Sequence, residues 1–259
     1  MTIKHLFRYP IKGLSGESLD TVELKPGYGM PFDRKFALAL PGTEFDSANP
    51  KPVPKFKFVV LMKYERLASL TTRFDDQNSR FTITDQTGTT LVDTSLAEPA
   101  GIEALESFFA DFMKDQIDGT PRLVQAEGHQ FTDVSVHSKS MMHAVSFINL
   151  ASVRALEEAT GKKVDPDRFR GNILYDNDAP WSEFDLLGKT IQVGESSMEV
   201  VRRTRRCPAT QVNPVTAERD LDVPALIKSN YDHMDMGIYA EIRQGGRVAV
   251  GDEIALSDS

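Results

Sequence analysis

One cysteine, Cys207, stands in 259 residues. A single thiol closes no intrachain disulfide, and it cannot alone hold an iron–sulfur cluster or a structural zinc. A reducing compartment is therefore expected, and the cytoplasm is the simplest one. Long apolar runs are also missing. Phe58 to Met62 is the longest, far short of the roughly 20 residues a spanning helix needs, so no membrane crossing is expected. The first eight residues alternate charged and apolar side chains without an apolar core or small-residue cleavage site, which reads as a strand rather than a signal peptide. No Gly-x-x-x-x-Gly-Lys-Ser/Thr or Gly-x-Gly-x-x-Gly stretch offers a nucleotide-binding loop, and no His-x-x-x-His or paired-cysteine spacing offers zinc. Positive charge is scarce as well. Thirty Lys+Arg against 38 Asp+Glu give a net charge of −8, which argues against nucleic acid or anionic lipid as a partner.

What remains has the composition of an ordinary globular protein. Short alternating stretches recur, at Ile3–Arg8, Leu19–Lys25, Lys35–Leu40, Arg80–Asp85, Arg122–Ala126, Thr190–Val193, Met198–Arg203, Ile238–Ile242 and Arg247–Val250. Most are bounded by Gly, Pro, Asn or Asp, the pattern of strands. Gly245-Gly246 predicts a hairpin between its flanking strands, and Val250 to Glu253 a tight turn. Helices are fewer. Apolar residues from Ile102 to Met113 repeat at helical spacing over Glu98–Gln116. A second helix is predicted over Leu150–Thr160, with Asn149 as N-cap and Gly161 as stop, and a third after Asp222, with Pro224 in its first turn. Pro41 to Pro54 reads as a long loop. The fold class expected is mainly β (α+β), with two β-barrel-like domains and a few helices. The boundary is placed near 117–121, dividing the chain into 1–118 and 119–259.

Because the protein is acidic overall, its basic clusters carry information. Residues 202–206 hold four arginines, Lys4, Arg8 and Lys12 occur near the start, and Arg168 and Arg170 flank Phe169. Such clustering suits recognition of a small anion. Pro208 cannot donate to a strand ladder, so Cys207 is expected where the strand from Val200 breaks into a loop. Neighbouring cations favour thiolate over thiol, and thiolate is the form that attacks electrophiles or binds metals. From these neighbours alone, Cys207 can be a nucleophile, a metal ligand or a packing residue. The five histidines stand in no local catalytic signature.

Six separated segments carry a resemblance: Phe7 to Gly13, Asp33-Arg34, Arg168 to Ile173, Trp181 to Asp185, Arg206 to Pro214, and Gly237 to Glu241. In order and spacing they resemble the MOSC family, in the two-part form similar to the mitochondrial amidoxime-reducing component and its bacterial relatives. The resemblance implies an N-terminal MOSC β-barrel domain followed by the MOSC domain. It also implies a molybdenum cofactor, a Mo-pyranopterin, with Cys207 as metal ligand and catalytic centre. Lys12 and Arg34 would hold the phosphate end, Arg170 and Asn172 the pterin, and Asn149 and Thr210 would be further cofactor contacts. The activity implied is an oxidoreductase that reduces N-hydroxylated or other N–O compounds, with electrons from a separate flavin or iron–sulfur protein. The alternative is a cofactor carrier or sulfur-transfer protein using Cys207 as persulfide or transient ligand. Two departures from the family pattern stand out. Gly13 replaces a serine, and Thr210-Gln211-Val212-Asn213-Pro214 replaces Thr-Thr-Val-Asp-Pro, removing a hydroxyl and a carboxylate.

Overall fold

The computed structural model describes residues 1–257. The first half runs β1 (Thr2–Arg8), β2 (Glu17–Leu19), β3 (Thr21–Leu24), β4 (Ala37–Ala39), β5 (Thr71–Asp75), β6 (Arg80–Thr84), β7 (Thr90–Ser95), α1 (Pro99–Phe112) and β8 (Arg122–Val124). The second adds α2 (Lys139–Met142), β9 (Val145–Asn149), α3 (Leu150–Thr160), β10 (Ile173–Asp176), β11 (Thr190–Val193) and β12 (Ser196–Arg205). It closes with α4 (Val223–Tyr231), β13 (Asp235–Gln244), β14 (Gly246–Ala249) and β15 (Ile254–Leu256). The protein is mainly β. Its main sheet has eight strands in the order β15-β11-β12-β13-β9-β10-β1-β2 and curls into a half-barrel.

Both ends of the chain enter that sheet. β1 pairs antiparallel with β10, and a register shift between Ile3 and His5 lets Ile3 and Leu6, three residues apart, both face the core. They pack in one cluster with Val22 and Leu24 from β3, Val200 from β12 and Val248 from β14. A second cluster lies beneath α1. Leu105 and Phe109 of its apolar stripe cover Phe74, Phe81 and Ile83 of the β5-β6-β7 meander. A third sits where α3 and α4 meet the sheet, through Val153, Leu156 and Ile227.

The N-cap and stop predicted for α3 form, and α4 begins after Asp222 as expected. Asn149 Oδ1 accepts from the Ala151 N–H at 3.0 Å, Gly161 ends α3 at φ 64°, and Asp222 caps α4 through the Ala225 N–H. α1 stops at Phe112, not Gln116, and continues as turns. The hairpin expected at Gly245-Gly246 is not made. β14 instead pairs antiparallel with β3, setting Val248 opposite Val22. A Cβ at Gly245 would meet Leu24 O at 2.5 Å, so the glycine permits the crossing to β3 rather than a return along β13. β9 and β10, adjacent and parallel, escaped prediction because they are buried on both faces and show no alternation.

Candidate functional site

The end of β12 sets the site. Register shifts between Val200 and Arg202 and between Arg203 and Arg205 twist the strand out of regular alternation, so Arg202, Arg203 and Arg205 all border one cavity. Cys207 follows, half-buried, before a short 3-10 turn over Pro208–Gln211. Thr210 holds that turn, donating from Oγ1 and from its backbone N–H to Cys207 O at 3.0 and 3.1 Å. Arg168, with 3% of its side chain exposed, clamps it from behind. It donates to Thr210 O and Gln211 O and forms a bidentate pair with Asp220 at 2.7 and 2.8 Å.

Cys207 opens into a cavity of about 290 Å³. Nine lysines and arginines line it against two aspartates, in a protein whose net charge is −8. The concentration of cations in one concavity marks an anion site. On one side stand Lys12 and Lys55, bridged by Asp133. Lys12 Nζ donates to Asp133 Oδ1 and to Phe131 O, and Lys55 Nζ donates to Asp133 Oδ2 at 2.9 Å. Burial opposes the Lys55 charge, but Asp133 and Cys207 outweigh it and raise the ammonium pKa. Burial likewise opposes ionisation of Asp133, yet the two lysines hold its carboxyl well below the usual range. Lys12 goes the other way, its pKa lowered by burial despite Asp133.

On the other side two arginines lie against Tyr9, with guanidinium carbons 4.2 Å (Arg34) and 4.4 Å (Arg170) from the ring centre. Both are in left-handed conformation, at φ 47° and 52°. Arg34 is satisfied by Asp33 and by Arg170 O. The Arg170 guanidinium donates to no acceptor among the described residues, and burial pushes its pKa down to about 10. Arg206 donates to Met236 O and Phe169 O and is likewise pushed to about 10 by burial. Tyr239, on β13, also borders the cavity. Burial raises its phenol pKa, with Arg206 opposing.

Of the residues singled out from the sequence, Cys207, Lys12, Arg34, Arg170, Asn172 and Thr210 all border this cavity. Asn172, 2% exposed, has its amide engaged within the sheet, accepting from Ser146 and donating to Phe7 O. Asn149 does not border it. Besides capping α3, it donates to Ala179 O and to the buried Glu183 carboxylate at 2.9 Å. The structure therefore does not bring it to the cavity, and every polar atom of its amide is taken inside the fold. Gln211 and Asn213 also face away: Gln211 Oε1 accepts from Arg219, and Asn213 accepts from Val215 N and donates to Asp220. Gly13 is required by its position, since at φ 89° a Cβ would meet Val59 O at 2.6 Å. Lys55, Asp133 and Tyr239 were not singled out. Lys55 sits beyond the proline-rich loop and Asp133 in irregular chain, so only tertiary contact brings them to Cys207.

Two family models cover nearly the whole chain. The MOSC N-terminal β-barrel domain matches residues 1–116, and the MOSC domain matches residues 133–255. The chain belongs to the MOSC family. Among curated proteins, this MOSC chain is 32% identical over 117 residues to the molybdenum cofactor sulfurase of Drosophila grimshawi, covering 42% of the chain and 15% of that protein. The molybdenum cofactor sulfurase of Drosophila willistoni is 30% identical over 108 residues, 40% of the chain and 13% of that protein. The match thus spans a small part of those relatives' length. Among solved structures, the YUAD protein from Bacillus subtilis is similar at TM-score 0.42 and 11% identity, covering 98% of this chain and 93% of that one. YiiM from Geobacillus stearothermophilus is similar at TM-score 0.35 and 17% identity, covering 44% and 54%. Among the described residues no helix of this MOSC protein is long and apolar enough to cross a membrane.

Proposed function

We propose that the protein binds the molybdenum cofactor at Cys207 and reduces N-hydroxylated or related N–O compounds with electrons from a separate flavin or iron–sulfur protein. One observation carries the reading: a lone sulfur donor opens into a cavity walled by nine cationic side chains. Among the described residues no group of three or more His, Cys, Asp or Glu can hold a metal ion. A metal at Cys207 would therefore have fewer than three such protein donors and must bring its remaining ligands with it. A soft thiolate suits a sulfur-tolerant metal, and the cations suit a ligand that ends in phosphate. The residues present fit the cofactor, and the relatives' names point the same way.

When bound, the cofactor supplies the oxygen-atom and two-electron chemistry that no side chain can. The chain does the rest. Cys207 would hold the metal, and Arg170, with no protein acceptor among the described residues, offers free donors to the pterin. Arg34, fixed by Asp33, keeps Arg170 in place through its carbonyl. Lys55 donates to Asp133 at 2.9 Å and lines the same cavity as Cys207, placing a positive charge on the sulfur's side of it. Tyr239 stays protonated at neutral pH and presents an O–H donor toward the cavity.

The test is expression in a cofactor-competent host followed by molybdenum and pterin analysis. Wild type is expected to carry both, and Cys207→Ser to lose molybdenum while keeping its fold. A folded wild type that carries neither would sink the proposal. The similarity to sulfurases favours a second reading, in which Cys207 transfers sulfur. Sulfane sulfur on Cys207 without N-oxide or amidoxime turnover would select it.

A further inference from the structure

Beside the cationic cavity lies a second one of about 390 Å³, within the roughly 300–1,000 Å³ range of small-molecule sites. The two share Lys12, Lys55, Phe131, Thr132 and Asp133, so they lie on either side of one common wall. Their walls differ. The second carries no arginine and is lined by Val53, Pro54, Phe56, Phe58, His129 and Val136. Its inner side is an aromatic cluster in which Phe131 contacts Phe58 at 5.4 Å and His129 at 4.8 Å between ring centres. Burial lowers the His129 pKa, so the ring stays neutral. Its only charged walls are Lys12, Lys55 and Asp133, already bonded to one another. At its rim Phe56 and Val136 remain 58% and 52% exposed, and no other large exposed apolar side chain among the described residues borders either cavity.

A group filling the cationic cavity leaves the reactant to approach from the side. The annex reaches Lys55, which lines the cationic cavity together with Cys207, and offers apolar contact and almost no polar pairing. An aromatic ring suits it, through edge and face contact with Phe58 and Phe131. We propose that this annex is the substrate subsite and that it selects N–O compounds bearing an aromatic group, ring in the annex and N–O head at Lys55. The proposal rests on the reductase reading of the same site.

The test compares benzamidoxime with acetamidoxime on the purified full chain from a cofactor-competent host, by calorimetry. Benzamidoxime is expected to bind about tenfold more tightly, because only it has a ring to bury. Phe56→Ser and Val136→Ser change exposed side chains, so both variants should fold, and each is expected to shrink that ratio severalfold. Equal affinities in wild type, no binding of either compound, or a ratio unchanged in both variants would overturn the annex. Failure of the reductase reading shows separately: the preference then persists in a sample that lacks molybdenum or does not turn either compound over.

Discussion

Arg170 combines three costs in one residue: left-handed backbone, a half-buried cation and no protein acceptor among the described residues. Proteins retain such strain at functional sites. Replacing the cation by an apolar side chain removes the desolvation cost, so Arg170→Met is expected to stabilise the cofactor-free protein by about 1 kcal/mol. Urea unfolding checks this, and pterin analysis of the same variant should show reduced retention. Asp133 works oppositely. Its folded pKa lies below the unfolded value near ~3.9, so its stabilisation is complete above that value and is lost as pH falls through the acid range. Asp133→Asn should therefore flatten the loss of stability measured between about pH 5 and pH 2. An equally steep loss in the variant would show that other carboxylates carry it.

At the scale of the element, Asn149 separates structure from site. It caps α3 and donates to Glu183, whose carboxyl is pushed up by burial and keeps one oxygen unpartnered. Asn149→Ala is expected to cost about 2 kcal/mol and to leave pterin content unchanged in the folded fraction. Loss of pterin from fully folded variant would return Asn149 to the site. The turn bearing Cys207 depends on Arg168 and Asp220. Asp220→Asn removes the charge that pairs a nearly fully buried guanidinium and should cost about 2–3 kcal/mol. Thermal denaturation reads the cost, and thiol reactivity of Cys207 should rise as its turn loosens.

Across the whole molecule, the two family segments share one sheet and one core. β1 and β2 complete the main sheet, β3 pairs β14, and β4 pairs β8. Residues 119–259 expressed alone would expose the edge of β10 that β1 normally covers, together with the faces of Ile173 and Val248. They are expected to aggregate, and coexpression with 1–118 to restore a soluble complex. Monodisperse, protease-resistant 119–259 by itself would count against this interlocking.

Strand periodicity, the cap at Asn149, the stop at Gly161 and the break at Pro208 are local consequences of side-chain geometry, and they could be read directly. The arginine cluster around Cys207 was legible for the same reason, since charge in a contiguous stretch survives any folding. Strand partners were not: β14 chooses β3 over β13 because burying Val248 against Val22 and Leu24 is a long-range gain invisible in a glycine pair. Nor were the cavity's remaining members. Lys55, Asp133 and Tyr239 come from separated segments of irregular chain and sheet, and only the packing of the half-barrel brings their charges and hydroxyl to one sulfur. The sequence alone determined that Cys207 sits among cations at a strand end. The tertiary structure determined which of those cations are already paired and which, like Arg170, still face the cavity, because pairing depends on where distant carboxylates and carbonyls arrive.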